Sequence, residues 1–357
     1  MLAVFVVFAA LLTKIDNSKA DDNIARAKEL DAQKAAEGGE KERKTARAVQ
    51  GTLELGGYEY DYFDRIDTYL LIGTDSTGEE AKKEDGTYVG DMADFLLLLV
   101  MNRSKQTYTA IQIDRDTMVD VPLLNEDGDY NATALQQICI AHWYGSDEAQ
   151  SNENTVTSVS NLLGGLEIDG YYTLNMTQIP RLNHAIGGVE VTLEDDFTNE
   201  DPDMRQGRTI LLSDEQAERF VRGRMGVGDG ENTSRMRRQK AYMNAFKEKM
   251  MTRVKEESGF INDLYKEFMD VADTDLSGSE VSGIINGIMT YTANDTVELA
   301  GEKKKAVSES DDILHSQFWV DEEAMTETLT KVLGLEKGEK VEAWDDWMNE
   351  IEEQENN

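Results

Sequence analysis

Hydrophobic and polar positions alternate along this chain in two distinct periods. Thr68-Tyr69-Leu70-Leu71-Ile72-Gly73 and Phe95-Leu96-Leu97-Leu98-Leu99-Val100-Met101 are short, unbroken apolar runs, the pattern of strands covered on both faces. Thr107 to Ile113 alternates and predicts a third strand, reached from the second through the turn-like Asn102-Arg103-Ser104. A connection that short makes the second and third strands an antiparallel pair. Residues 130–145 and 151–165 are predicted helices, the latter stopping at Gly164-Gly165. Strand patterning returns at Tyr171 to Met176, and at Val189 to Leu193 after Gly187-Gly188. Ser213-Asp214-Glu215-Gln216 has capping-box spacing and opens a helix through Phe220. Ser234 is the expected cap of a further helix continuing through Met251, and residues 259–300 are predicted to be mainly helical. Strands interleaved with helices predict an α/β fold: a three-layer α-β-α sandwich around a mixed central sheet.

The two ends fall outside that pattern. Residues 1–12 are continuously apolar and precede Lys14. The run is shorter than the roughly 20 residues a membrane span needs, and no basic residues precede it as they would a signal segment. It is read as the outer remnant of a membrane anchor, residues 1–13, whose start lies before this sequence. Residues 14–57, rich in Ala, Lys, Glu and Asp, predict a solvated stalk. The folded domain is expected over 58–335, and 336–357 is an acidic tail.

Charge narrows the function classes. The chain carries a formal net charge of -35, from 71 Asp and Glu against 36 Lys and Arg, which excludes a nucleic-acid backbone as the main partner. The single cysteine, Cys139, lies between two isoleucines and reads as a buried, inert thiol. Three scattered histidines cannot make a zinc site. Asp273-Thr274-Asp275-Leu276-Ser277-Gly278 resembles the opening of a calcium loop, but its twelfth position is Ile284 where a bidentate glutamate is required. A helix cap explains those residues better.

One segment inverts the overall charge. From Arg205 through Lys240, nine Lys and Arg face five Asp and Glu. Arg222 and Arg224 leave the end of one predicted helix; Gly226, Gly228 and Gly230 form a flexible loop; and Arg235, Arg238 and Gln239 stand at i, i+3 and i+4 of the next helix. Guanidiniums meeting across a glycine-rich loop at a helix N-terminus suit an oxyanion with several oxygens, such as a diphosphate. The competing reading is a set of solvated arginines that balance the acidic surface.

Asp75 ends the first apolar strand, and Asp94 heads the second, positions where a carboxylate has no packing purpose. Each is either a turn cap or, if the strands are neighbours, half of a site for a hard cation such as magnesium. Arg115, between Asp114 and Asp116 at the end of the third strand, is either locked in an ion pair or oriented toward a phosphate.

In order, these pieces resemble the LytR–CpsA–Psr family of cell-wall enzymes over residues 60–255. The resemblance is carried by Leu71-Ile-Gly-Thr-Asp75-Ser, Ala93-Asp94, Ile113-Asp-Arg115-Asp116-Thr-Met-Val, Ala141-His-Trp-Tyr144-Gly, Ile186-Gly-Gly-Val189-Glu-Val, and Val221-Arg222-Gly-Arg224 followed by Arg235 and Arg238-Gln239. It implies an extracytoplasmic phosphotransferase, held at the cell membrane by a single N-terminal helix. Such an enzyme takes a glycopolymer (teichoic acid, capsule or related polysaccharide) from a polyprenyl-diphosphate carrier and joins it to peptidoglycan through a phosphodiester. By the same resemblance Asp75 and Asp94 hold Mg2+ (or Mn2+), and Arg115, Arg222, Arg224, Arg235 and Gln239 bind the diphosphate. Arg238 joins that set, and Asp75 or Asp116 assists removal of the hydroxyl proton. Two positions depart from the family pattern: Met92 where an Arg is usual, and His184 where an Asp is common. They leave open a non-catalytic polyprenyl-phosphate-binding modulator of wall assembly; separately, the same site with water as acceptor is a lipid-diphosphate hydrolase.

Overall fold

The computed structural model describes residues 49–74, 88, 90–125, 127–223, 227–228, 232–257, 260, 272–307 and 314–341. In chain order it begins with strands β1 (Gly51–Leu55), β2 (Tyr58–Tyr62), β3 (Ile66–Thr74), β4 (Ala93–Asn102), β5 (Thr107–Ile113), β6 (Met118–Leu124) and β7 (Tyr130–Gln137). A 3-10 turn over Ile138–Trp143 leads to helix α1 (Glu148–Leu162), followed by β8 (Gly170–Asn175), α2 (Ile179–Ile186), β9 (Glu190–Thr192) and β10 (Thr209–Leu211). Then come α3 (Asp214–Arg222), α4 (Asn232–Glu256), β11 (Ala272–Thr274), α5 (Gly278–Thr290), β12 (Thr292–Ala293) and β13 (Val297–Glu298). The hairpin β14 (Gly301–Val307) and β15 (Leu314–Val320), helix α6 (Glu322–Leu329) and β16 (Glu336–Lys340) complete it.

The seven-stranded central sheet runs β11-β8-β3-β4-β5-β12, with β13 also on β5. β3, β4 and β5 are antiparallel neighbours, whereas β8 joins β3 in parallel and β12 and β13 join β5 in parallel, so the sheet is mixed. Every residue of β4 is buried, because the sheet is covered on both faces. Alternation splits the apolar runs: Leu71, Leu97 and Leu99 pack with α2, α3, α4 and α5, and Leu70, Ile72, Leu96 and Leu98 pack with α1, β1 and α6. Two cores on opposite faces of one sheet make the expected three layers.

Pairing of Thr74 with both Ala93 and Asn175, and of Leu96 with Ile113, aligns the C-terminal ends of β3, β5 and β8 with the start of β4. That edge of the sheet carries the site, as open α/β sheets commonly do.

Several local expectations are corrected. The stretch 130–145 is a strand and a 3-10 turn, because Tyr130–Gln137 pairs antiparallel with β6 and its alternation serves that hairpin. Ser234 lies inside α4, which starts at Asn232. In 259–300, α5 is helical, capped by the Ser277–Glu280 box, but β11, β12 and β13 are strands of the central sheet. Gly51–Leu55, read as stalk, buries Leu53 and Leu55 under the sheet. Glu336–Lys340, read as tail, pairs with β2. Residues 1–48, with the expected anchor, and 342–357 lie outside the described residues; among the described ones no helix is long and apolar enough to cross a membrane.

Candidate active site

Asp94 is the centre of the site. It heads β4, is 5% exposed, and has each carboxylate oxygen taken by a different guanidinium. Nη1 of Arg115, just past the end of β5, donates to Oδ1, and Nη1 of Arg235, in the second turn of α4, donates to Oδ2 at 2.7 Å. Residues 141 positions apart in the chain therefore meet in one buried triad. Desolvated charges of this kind persist only when paired and hydrogen-bonded.

Arg115 is held on further sides. Its Nη2 rests on the sulfurs of Met92 at 3.1 Å and Cys139 at 3.3 Å, and its Nε is 3.5 Å from Oδ1 of Asp116. That same oxygen accepts from Nε2 of Gln137 at 3.0 Å, while Gln137 also donates to the carbonyl of Ser316 on β15 at 2.7 Å. Of the two readings of Arg115, the ion pair is present, and the pairing fixes the direction of its guanidinium. Met92 fills the place of the usual Arg with a soft, neutral contact. Burial pushes the Cys139 thiol up despite the guanidinium beside it, so it is a neutral, inert group at neutral pH, as expected.

Helix α4 carries three of the named residues, and the structure separates them. Arg235 faces Asp94. Arg238 is spent elsewhere: it donates to the carbonyls of Phe220 at 3.1 Å and Gly223, pairs with Asp195, and lies over the Phe197 ring at 5.4 Å. Its expected role as a diphosphate ligand is corrected, because all three of its nitrogens tie α4 to the end of α3 and the loop after β9. Gln239 is 3% exposed, and neither its Oε1 nor its Nε2 has a hydrogen-bond partner. Such an amide costs about 1–3 kcal/mol to bury unmet.

Gln239 is the polar member of the lining of a narrow apolar cavity of about 50 Å³, walled chiefly by Phe95, Leu174, Met176, Leu182, Met243 and Phe246. The phenol of Tyr242, also on the wall, donates to Oδ1 of Asn183 at 3.2 Å, and burial raises its pKa, so it stays neutral. The cavity lies between the sheet and the helices α2, α3 and α4, next to Asp94 through Phe95.

Arg222, in the last turn of α3, is braced by Glu218 on its own helix at 2.6 Å. Asp75 and Arg224 lie outside the described residues, as do Gly226 and Gly230 of the loop between α3 and α4. The departure at His184 is remote from the chemistry: the ring is exposed on α2 and faces Asp214 at 3.1 Å. No three metal-ligating side chains cluster among the described residues. With both Asp94 oxygens facing guanidiniums, those residues as arranged do not fit a divalent cation.

Sequence reasoning missed Gln137, which positions Asp116, and the hairpins β6–β7 and β14–β15 that wall the cleft around it. A glutamine carries no motif, and the pairing that aims it spans 179 residues. The cavity wall on α4 was visible only as an apolar stripe, which is also how an ordinary core face reads.

Fold and site together define a class: a mixed α/β domain with a buried arginine–carboxylate triad, Arg115 of which reaches an open cleft, and an apolar slot beside Asp94. The family model of the LytR_cpsA_psr family matches residues 26–332, and the chain belongs to that family. A polyisoprenyl-teichoic acid–peptidoglycan teichoic acid transferase TagU of Enterococcus faecalis is 29% identical over 184 residues, 51% of this chain and 53% of that protein. A TagU of Halalkalibacterium halodurans is 27% identical over 162 residues, 45% of this chain and 46% of that protein. The chain spans about half the length of the curated relatives it matches. Among solved structures, a protein of Streptococcus agalactiae superposes with a TM-score of 0.59 at 18% identity, covering 77% of this chain and 90% of that one.

Proposed function

We propose that this chain is a phosphotransferase of the cell wall. It moves an anionic glycopolymer from a polyprenyl-diphosphate carrier to a peptidoglycan hydroxyl through a phosphodiester bond, with no covalent intermediate on the protein. The observation that carries the reading is Gln239, a buried amide with no hydrogen-bond partner on the wall of the apolar slot, about one helical turn along α4 from the Arg235 that pairs with Asp94. A lipid diphosphate matches each part: oxygens that can share the two guanidiniums with Asp94 and meet the unpaired amide, and a prenyl chain for the slot. The names of the TagU relatives describe such a transfer.

The acceptor hydroxyl attacks the phosphorus next to the glycan. The new oxygen–phosphorus bond forms as the bond to polyprenyl phosphate breaks, and the hydroxyl proton passes to a carboxylate. Asp116 is assigned that proton, because it lines the open cleft beside Arg115 and Gln137 fixes its orientation. Charge accumulating on both phosphates is met by Arg115 and Arg235, and by Arg222 and Arg224 on the loop side. The cation expected at Asp75 and Asp94 (magnesium or manganese) needs one Asp94 oxygen released by its guanidinium, and no step is assigned to it. Location at the outer face of the cell membrane through residues 1–13 belongs to the same proposal.

The test is transfer from a purified lipid-linked glycan to peptidoglycan by the Arg115→Ala, Arg235→Ala and Arg222→Ala proteins. All three are expected to retain the fold by circular dichroism and to lose transfer. Full activity in the three defeats the assignment. Release of free glycan phosphate, unchanged by adding peptidoglycan, identifies a hydrolase instead, and binding of lipid diphosphate without turnover identifies a modulator.

A further inference from the structure

A second opening adjoins the triad on the side away from the apolar slot. It is a cleft of about 560 Å³, a size typical of small-molecule and oligomer subsites, reached by Arg115 and Asp116 at its floor. Its walls are the hairpin β6–β7 with the 3-10 turn that follows on one side, and β15 on the other. Trp143 stands on the rim, 43% exposed, next to Tyr144, with Leu135 and Leu314 also open to solvent. Besides Arg115 and Asp116, the polar part of the lining is the amides Gln136, Gln137 and Gln317 with Tyr144, His315 and Ser316, and Gln136 accepts from the Tyr144 hydroxyl at 3.2 Å.

That composition discriminates between ligands. Apart from the Arg115 and Asp116 pair, the lining has no Lys, Arg, Asp or Glu, so it offers little to a polyanion. An exposed indole beside amide donors and acceptors suits a flat, polyhydroxylated ring whose axial C–H groups stack on the aromatic face. Trp143 at this rim leaves an aromatic face open to a ligand.

We propose that this cleft binds an uncharged glycan strand. A pyranose stacks on Trp143, and Gln136 and Gln137 bond its hydroxyl or acetamido groups. One sugar hydroxyl is thereby presented to Asp116. The inference rests on the phosphotransfer reading for its meaning, naming where the acceptor lies, but the binding itself is independent of it.

The test is calorimetric titration of the full chain with chitohexaose, an uncharged β-1,4-linked N-acetylhexosamine oligomer, with pyrophosphate titrated in parallel. Wild type is expected to bind the saccharide, Trp143→Ala about fivefold or more weakly, the loss of one aromatic stacking contact. Trp143→Phe is expected to recover most of that affinity, and Tyr130→Ala, exposed on β7 outside the cleft lining, to match wild type. Absence of saccharide binding, equal binding by Trp143→Ala, or displacement by an apolar peptide that occupies the cleft instead overturns the proposal. Saccharide binding that needs Trp143, in a protein that transfers no glycan from the lipid-linked donor, upholds this cleft while sinking the phosphotransfer reading. Pyrophosphate binding with no Trp143-dependent saccharide binding sinks this inference alone.

Discussion

Replacing Gln239 by leucine is expected to stabilise the ligand-free protein and cripple it as a binder. The side chain is 3% exposed among Phe95, Val221, Tyr242 and Met243, and both polar atoms lack partners. Water stabilises the amide in the unfolded chain but does nothing for it in the folded one, so folding bears the desolvation cost of the group. That cost is about 1–3 kcal/mol for an unmet buried polar group, whereas an apolar residue of similar shape incurs none and gains burial of its own. Urea unfolding of Gln239→Leu is therefore expected to show an unfolding free energy higher by about 1–3 kcal/mol. Binding moves the other way. Hydrogen bonds from Gln239 to a phosphate oxygen are charge-assisted, worth about 1.5–3 kcal/mol, so the variant should bind lipid diphosphate roughly tenfold or more weakly. A variant that is less stable than wild type and binds the lipid as tightly would refute the reasoning, since the amide would then be structural.

Asp94→Asn takes from Arg115 and Arg235 the carboxylate they share, leaving Arg115 the longer Asp116 contact at 3.5 Å, and is expected to cost about 3–5 kcal/mol in thermal or urea unfolding. Pyrophosphate should restore more stability to it than to wild type, because the ligand supplies the missing charge; equal rescue argues against a phosphate site. Arg238→Ala is expected to lower stability by about 1–3 kcal/mol, through the lost ties to Asp195, Phe220 and Gly223 while Asp195 keeps Arg237 at 3.3 Å, and Lys is not expected to replace it. The Cys139 thiol, buried and raised above its ordinary pKa, should resist alkylation at neutral pH and react only on unfolding, as timed labelling with and without urea would show. With a chain at -35 and the anionic polymer proposed as its substrate, long-range repulsion is screened as ionic strength rises toward about 0.15 M. The association rate in stopped flow should therefore increase over that range, and a falling rate would show that the local arginines dominate the approach.

The central strands were legible because their apolar runs reflect burial on both faces, which local sequence records directly. β3, β4 and β5 fall where the runs at 68–73, 95–101 and 107–113 lie. The β6–β7 hairpin was not legible, since Pro122 interrupts one strand and the other ladder is half exposed, a pattern a surface helix can also give. In the site, the charge inversion led to Arg235 and Gln239 but overreached at Arg238. At about 100° per residue, positions 238 and 239 fall roughly 60° and 40° to opposite sides of position 235. Spacing puts all three on one broad face, yet only packing decides which edge meets the sheet and which meets α3. Asp94 was found as a carboxylate without a packing reason, but its two guanidinium partners depend on contacts 21 and 141 residues apart.

These separations give α4 a specific role. Arg238 fastens the helix to α3 and to the loop after β9, and that fixes the height at which its neighbours on the other edge meet the sheet. Arg235 and Gln239 are then about 6 Å apart along the axis, one at the level of Asp94 and the other inside the slot. A charged head and an apolar tail bound by a single rigid element bind as one ligand: whichever end arrives first holds the other near its site, so the second contact costs little further entropy. Pyrophosphate or a prenyl alcohol alone forfeits that linkage, and each is left with either a guanidinium pair already satisfied by Asp94 or a slot of about 50 Å³ that must first be opened. Under the proposed function, selectivity for the joined lipid diphosphate is expected to follow from the spacing along α4 as much as from the contacts at either end.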